Sequence, residues 1–331
     1  MRRCLTGVDI FKLFAALGIV AIHTKLPLLS IIGRLGVPFF ATVSSYFFFN
    51  KFLNLKFREE KKRYLKKFCL RISYLFLIWQ VFYIPFLLLN SKKFFISRGI
   101  NLKSLIEYIV NFFYPIPPNV NGWAPSWYLI AMALGIPVFV AIINSLNRNF
   151  IVIGIISMLI EIYYILADEF GFITHLPTWG IWSFPRLFVY IFCGFLIAKY
   201  YDKILVVKIR YYLILAIASI LIFTCEYAVI ESISHNSNLC ETITIVPTSF
   251  IICCLSIKWM PKVGSTLRIR NFSTFLYCYQ WFPLRFLGKV RILHYVSFVN
   301  FSVIIVTALI LFYVYNKLYK RKGLNFFKYA V

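Results

Sequence analysis

Long apolar runs, separated by short polar and basic segments, make up most of the chain. Each run holds about 19 residues, enough for a helix to cross the hydrocarbon core of a bilayer. The runs lie near residues 8–26, 34–50, 69–90, 126–146, 150–167, 183–201, 211–231, 242–260, 272–288 and 296–316. This pattern predicts an all-α fold, a polytopic integral membrane helix bundle with about ten transmembrane helices.

The apolar runs follow one another without a Gly/Ser/Pro-rich linker or an acidic tract. Such segments usually mark domain boundaries, so residues 1–331 are predicted to form a single transmembrane domain. Met1-Arg2-Arg3 and the first run have the layout of a secretory signal, but no small-residue cleavage site follows them. We therefore expect the first run to remain as the first span.

The composition excludes an ordinary water-soluble domain. Hydrophobic residues make up 61% of the chain and charged residues only 14%, whereas a soluble domain has about 25% charged residues. The net charge is nevertheless +25, and in a soluble protein such an excess would suggest a nucleic-acid partner.

The distribution of the basic residues points to membrane topology instead. If the N-terminus is internal, 24 of the 36 lysines and arginines fall in internal segments and 9 in external ones. Because basic residues accumulate on the cytoplasmic side, both termini are predicted to be cytoplasmic. Topology and attraction to anionic membrane lipid then account for the charge, and no nucleic-acid partner is expected.

Three segments between or after the spans carry further expectations. The basic segment 51–67 is predicted to form a cytoplasmic interfacial helix. The external loop 91–125 contains the periodic stretch SLIEYIVNFF, predicted to be a short amphipathic helix, and then a turn-rich part that covers a cavity mouth. Residues 317–331 are predicted to be a cytoplasmic tail.

The cysteines do not suggest a disulfide framework or a metal site. Only Cys240 falls in an external loop, and neither a CxxC, an HExxH nor an EF-hand pattern occurs. Six others fall within apolar segments, where they act as small hydrophobes: Cys69, Cys193, Cys225, Cys253, Cys254 and Cys278. We expect no metal.

Ionisable residues inside the spans are functional candidates, because charges at bilayer depth are costly and usually face a bundle interior or a wet cavity. The candidates are Asp9, Lys12, His23, Arg71, Glu161, Arg186 and Glu226. Lys12 and His23 are eleven positions apart, which brings them within about 20° of each other on one helix face, about 16 Å apart. Asp9 lies one turn before Lys12 and is predicted to pair with it.

Each candidate also has a structural interpretation. Lys12 can extend to the inner interface, and His23 can be satisfied by a neighbouring helix. The shared face favours function, since an imidazole can accept the proton of a hydroxyl as it attacks an acyl carbon. Glu161, Arg186 and Glu226 fall in the outer halves of their spans, where they form either an ion pair or an outer polar cavity.

Arg34, just before the second span, is interpreted as an interface anchor. His175, His235 and His294 lie in loops and are expected to be solvated. A nucleophilic triad is not favoured, because no GxSxG elbow occurs.

The first span resembles that of the bacterial membrane acyltransferases of family 3, which modify cell-surface polysaccharides. Their hallmark is a basic residue, ten intervening residues and a histidine, matched here by Lys12 and His23. The segments GVPFFATVSSYFFF, KKFCLRISYLFLIW, SWYLIAMAL, PRLFVYIFCGFLIAK and STFLYCYQW are similar to later parts of that family. The stretch DIFKLFAALGIVAIHT also resembles the membrane domain attached to certain serine racemases of vancomycin resistance.

Two positions depart from the family pattern. Ser45 stands where the family commonly has glycine, and Gln280 stands where a late histidine often ends the segment. Glutamine can still orient a substrate through hydrogen bonds.

The resemblance implies that acyl-CoA enters from the cytoplasm, with its phosphates near Lys12 and Arg71 and its thioester towards His23. It implies transfer of an acyl group, most simply acetyl, to a hydroxyl of a glycan or lipid-linked sugar at the bacterial inner membrane. His23 is expected to be a general base or a transient acyl carrier. The residues expected to contact the acceptor or tune His23 are Asp9, Arg34, Glu161, Arg186, Glu226 and Gln280. A second copy of the chain is a further candidate partner.

Two other function classes fit the same residues. A transporter of an amino acid or sugar would use the intramembrane charges as a substrate or proton pathway, although the sequence has no internal repeat. A non-catalytic scaffold in polysaccharide synthesis would fit if Ser45 and Gln280 signify lost chemistry.

Overall fold

The computed structural model describes residues 5–113, 120–146, 149–169, 184–234, 242–287 and 297–319, and within these ranges it contains helices and no strand. The α-helices are α1 Thr6–Thr24, α2 Leu29–Gly33, α3 Gly36–Phe52, α4 Arg58–Phe82, α5 Ile84–Arg98, α6 Leu102–Phe113, α7 Trp127–Ser145, α8 Phe150–Tyr164, α9 Phe188–Lys199, α10 Tyr201–Val206, α11 Ile209–Ser234, α12 Ile245–Lys258, α13 Leu267–Tyr279, α14 Trp281–Leu287 and α15 Ser297–Tyr319. The predicted all-α fold is confirmed.

Six helical stretches of the described chain are long and apolar enough to cross a membrane: Thr6–Thr24, Leu29–Phe52, Ala124–Ser145, Phe150–Ala167, Ile209–Ile233 and Ser297–Lys317. A seventh results if α4 and α5 are counted as one bent span. The three remaining predicted spans correspond to the shorter helices α9, α12 and α13, of 12, 14 and 13 residues. A multi-pass bundle is therefore confirmed, while the count of ten and the orientation remain predictions.

The third predicted span, 69–90, is bent. α4 ends at Phe82, α5 begins at Ile84, and the two helices differ in direction by 79°. Pro85 lies in the first turn of α5, where a missing N–H is tolerated, and it disfavours helical backbone at the residue before it. The sequence signal for the bend was therefore Pro85.

Residues 51–67, predicted to form a cytoplasmic interfacial helix, are divided between the end of α3 and the start of α4. α3 continues to Phe52, a short turn follows, and α4 runs for 25 residues from Arg58 into the bundle. No glycine or proline interrupts residues 58–82, so the basic run simply becomes the first turns of a long helix. Glu59 and Glu60 lie in its first turn, where the positive end of the helix dipole stabilises their negative charges.

α1 packs against α2, α3 and α13, and small residues permit the closest approach. A methyl group added at Gly18 would lie 2.7 Å from the Cα of Gly33, which is closer than atoms can pack. Both positions therefore require glycine, and their contact fixes α2 against the second half of α1.

α3 and α9 pack closely at Ser45. This serine is fully buried, and its Cβ would lie 2.5 Å from a Cβ added at Gly194. The serine that departs from the expected glycine at position 45 is thus accommodated because position 194 of the facing helix has no side chain.

α7 contains Pro137 in its interior. Proline has no N–H, so the carbonyl of Ala133, four residues earlier, loses its helical hydrogen bond. The Cys69 thiol of α4 donates to this carbonyl at 3.6 Å. Cys69 therefore compensates for Pro137 and links α4 to α7.

The amphipathic helix expected within the loop 91–125 is confirmed as α6. Residues 114–119 of that loop lie outside the described residues, but residues 120–126 are buried within the bundle. Asn121 donates to Phe112 O at 2.8 Å and to Ser126 Oγ at 2.9 Å, and the Trp123 ring stacks on Tyr83 at 5.1 Å. The described part of the loop is thus fixed to α4, α6 and α7. Most of the tail predicted at residues 317–331 lies outside the described residues.

Candidate functional site

Lys12 and Arg71, predicted to bind donor phosphates, line one cavity of about 260 Å³. Lys12 comes from α1 and Arg71 from α4, and the Lys12 Nζ lies 5.2 Å from the centre of the Phe47 ring. Arg270 of α13 lies within electrostatic range of Lys12. Because none of the described lining residues is acidic, the cavity presents positive charge to a bound molecule.

Hydroxyl groups line the same cavity opposite the cations. Ser44 Oγ and Tyr128 OH lie 3.3 Å apart, and Tyr277 OH donates to the carbonyl of Pro125 at 2.7 Å. The tyrosines were not predicted individually, although both belong to the segments SWYLIAMAL and STFLYCYQW. Side-chain direction decides which residues of such segments reach a cavity, and composition does not reveal it.

His23 lies in the last turn of α1 and is half-buried. Its ring meets Trp281 of α14 edge to face, with the centroids 5.1 Å apart. Arg34, which follows α2, lies within electrostatic range. Among the described residues the imidazole has no hydrogen-bond partner, so its nitrogens are available to a ligand.

Lys12 and His23 are not joined by the Lys12 cavity. Its lining does not include His23. Ala16 and Val20, which follow Lys12 by one and two turns on the same face, are fully buried. Among the described residues, packed side chains therefore lie between the two predicted site residues, and the Lys12 cavity does not extend to His23.

Gln280 is fully buried at the junction of α13 and α14. Its amide donates to Tyr277 O at 3.1 Å, while its side-chain oxygen has no hydrogen-bond partner among the described residues. The next residue, Trp281, contacts His23. Gln280 thus adjoins the residue that contacts His23.

Asp9 lies within electrostatic range of Lys12, but the direct ion pair predicted between them is not among the ion pairs of the described residues. Asp9 is buried and accepts a hydrogen bond from the Thr266 hydroxyl at 2.6 Å, whereas the Lys12 ammonium lies near Phe47 in the cavity. Thr266 precedes α13, so Asp9 connects α1 to the start of α13. The hydrogen-bond partner of Asp9 is therefore distant in sequence and does not lie one helical turn away.

Glu161 and Arg186, both predicted to lie in the outer halves of their spans, are within electrostatic range of each other. Glu161 is only 1% exposed and accepts a hydrogen bond from Tyr190 OH at 3.1 Å, with Arg186 within electrostatic range. The Arg186 guanidinium carbon lies 5.5 Å from the centre of the Trp127 ring. This buried group connects α7, α8 and α9.

Glu226 does not join that group. Its carboxylate accepts hydrogen bonds from the backbone N–H groups of Ile243 and Thr244, at 2.8 and 2.9 Å, and from the Thr244 hydroxyl. These N–H groups lie at the start of α12 and have no helical partner of their own. Glu226 is therefore a helix cap that ties α11 to α12.

The described residues contain no cluster of His, Cys, Asp and Glu that could hold a metal ion. The described cysteines are free thiols, including four that are buried: Cys193, Cys253, Cys254 and Cys278. Cys240 lies outside the described residues.

Comparison with known proteins adds three findings. A family model described as an acyltransferase domain, that of acyltransferase family 3, matches residues 5–317. An amino-acid racemase of Enterococcus faecalis is 28% identical over 160 residues, which cover 44% of this chain and 21% of the racemase. The similarity thus spans about a fifth of that enzyme's length. No solved structure matches.

Proposed function

The chain belongs to acyltransferase family 3, and from this premise we propose that it moves an acyl group, most simply acetyl, from acyl-CoA to a hydroxyl of a cell-surface glycan or lipid-linked sugar. The observation that carries the proposal is the cavity where Lys12 and Arg71 converge from different helices. A site that gathers positive charge inside an apolar bundle fits a donor with several phosphates.

The donor is proposed to bind with its phosphates at Lys12 and Arg71. Hydrogen bonds between ionised partners are about twice as strong as neutral ones, and Arg270 adds to the positive potential. The bias of basic residues in the sequence favours a cytoplasmic position for this end of α1. The enzyme would then take its donor from the cytoplasm of a bacterial cell and work in the inner membrane.

His23 is proposed to be the general base. As the acceptor oxygen forms a bond to the acyl carbon, His23 takes the hydroxyl proton, the C–S bond of the thioester breaks, and the imidazolium returns the proton to the CoA thiolate as it leaves. Trp281 holds one edge of the imidazole, and Arg34 supplies a positive charge that stabilises the developing oxyanion. Ala16 and Val20 are packed between Lys12 and His23. Transfer therefore requires α1 to separate from the helices packed on it while the donor is bound.

Glu161 and Arg186 are proposed to contact the acceptor or to order its path. Glu226 is not proposed for this role, because both of its carboxylate oxygens accept hydrogen bonds from residues just before α12. The similarity to part of a racemase adds no support for the transport alternative.

The direct test supplies acyl-CoA labelled in its acetyl group to membrane vesicles made with and without this chain, oriented so that the cytoplasmic face is outside. The proposal expects label on polysaccharide or lipid-linked sugar, released by mild base as acetate, only where the chain is present. Equal labelling in both preparations, or uptake of free sugar or amino acid without any donor, would overturn it.

A further inference from the structure

A second cavity, of about 730 Å³, lies where α3, α7 and α9 end and where α4 and α8 begin. We call it the basic cleft. Five cationic side chains line it, namely Lys56, Arg58, Lys61, Lys62 and Lys199. Five helix ends therefore meet at a site that has no part in the chemistry proposed above.

The charge of the basic cleft is poorly neutralised by the described protein. Among the described residues no Asp or Glu lines it, and of the five cations only Lys62 pairs with a described carboxylate, at 3.0 Å from Glu59. Lys199 instead places its ammonium 3.3 Å from the centre of the Phe150 ring. Lys56 and Arg58 are exposed at the mouth, so an anion can reach them directly.

The floor of the cleft is apolar. The rings of Phe150 and Phe195 stack at 5.3 Å, and Val140 and Phe49 lie beside them. Leu53 and Ala141 are exposed on the perimeter, which leaves the floor open to the surroundings of the bundle. A free anion would contact only the cations at the mouth and would leave this apolar surface empty.

A ligand that matches both parts combines a phosphate with hydrocarbon chains. We infer that the basic cleft binds an anionic phospholipid, with the phosphate among Lys56, Arg58 and Lys61 and the chains along the apolar floor. Basic pockets between helices at the cytoplasmic surface suit anionic head groups. The bias of basic residues in the sequence places this end of the bundle at that surface.

The basic cleft is separate from the Lys12 cavity. The ring of Phe48 packs on Tyr64 at 5.3 Å and on Phe68 at 4.9 Å, and these three residues line the Lys12 cavity but not the cleft. A donor bound at Lys12 therefore does not fill the cleft, and the two sites can be tested independently.

The test measures binding of phosphatidylglycerol and phosphatidylcholine to the purified full chain in detergent by native mass spectrometry. One variant combines Lys56→Gln, Arg58→Gln and Lys61→Gln. Each cation near an anionic head group contributes about fivefold in affinity, so this variant should lose roughly a hundredfold for phosphatidylglycerol and little for phosphatidylcholine. A second variant, Ala141→Trp, places an indole over the exposed edge of the floor and should weaken binding without changing any charge.

The matched control combines Arg63→Gln, Lys66→Gln and Lys67→Gln, which remove three exposed cations of the same helix that do not line the cleft. It should keep phosphatidylglycerol affinity within about threefold. If the two triple variants lost equal affinity for phosphatidylglycerol, the binding would depend on general surface charge and the inference would be overturned. Displacement of phosphatidylglycerol by inorganic phosphate or by CoA at similar concentrations would also overturn it, in favour of a free anion or the donor.

Discussion

The two ends of α1 differ although they present the two matched residues of one motif. At the first end, Lys12 faces a cavity shared with Arg71 and bounded by hydroxyl groups. At the other end, His23 packs against Trp281, close to where α1 and α2 touch through Gly18 and Gly33. The first end opens into a cavity, whereas at the second end the half-buried imidazole lies against Trp281 and is separated from that cavity by the packed side chains of Ala16 and Val20.

This difference assigns separate tasks to the two ends. An open, positively charged cavity can bind a donor before any movement, so changes there should act on KM. The transfer proposed at His23 requires the packing around Ala16 and Val20 to open. Changes at that end should act on kcat.

The largest expected effect is that of His23→Ala. General bases typically contribute about 100-fold to 10,000-fold to a rate, so kcat should fall by at least about 100-fold while KM for the donor stays within about twofold. Initial rates of acetyl transfer in vesicles measure both. Lys25→Gln, an exposed change at the same end of α1, is the control and should leave both constants unchanged. A His23→Ala variant with normal kcat would remove the imidazole from the mechanism.

A smaller effect is expected at the opposite end. Lys12→Met and Arg71→Gln should each raise KM for acyl-CoA by roughly 10-fold to 100-fold, because each removes a hydrogen bond to a charged group, and kcat should change little. The control is Lys66→Gln, an exposed cation of α4 outside the cavity. If both variants lowered kcat at saturating donor instead, the division of tasks between the ends of α1 would be wrong.

The third effect concerns the packing of the imidazole. Trp281→Leu removes the edge-to-face contact with His23, which is worth about 0.5–1.5 kcal/mol, so kcat should fall by roughly 3-fold to 10-fold. Trp281→Phe keeps an aromatic edge, so kcat should fall less in this variant. Trp259→Leu removes the similar contact with Phe11, at 6.0 Å near the other end of α1, and serves as the control. Equal losses in both leucine variants would indicate a general packing defect.

Part of this arrangement follows directly from sequence. The spacing of Lys12 and His23 defines one helix face by geometry alone, and the periodicity of SLIEYIVNFF predicts α6. The apolar runs predict the long helices, because a run of about 19 residues has few other stable conformations. Local regularities of this kind are properties of a single segment.

The parts that sequence did not predict depend on distant contacts. Asp9 contacts Thr266 rather than its neighbour Lys12, and only the packing of α1 on α13 decides between these partners. The cavity that joins Lys12 to Arg71 likewise requires the relative placement of α1 and α4. Ala16 and Val20 separate Lys12 from His23. A sequence does not reveal whether small apolar residues of this kind face lipid or a neighbouring helix.

The smallest expected effect on catalysis is that of a substitution at Glu226. It tests whether this carboxylate stabilises the fold or takes part in the reaction. Glu226→Ala leaves the N–H groups of Ile243 and Thr244 without their acceptor, at a cost of about 2 kcal/mol, so the thermal unfolding temperature should fall by several degrees. Because the carboxylate is occupied by α12, kcat and KM should stay within about twofold at a temperature where the variant is folded. Glu231→Ala, an exposed change on the same helix α11, should alter neither quantity. If Glu226→Ala lowered kcat strongly without lowering the unfolding temperature, this carboxylate would belong to the reaction, and the outer charges would act as one group around His23.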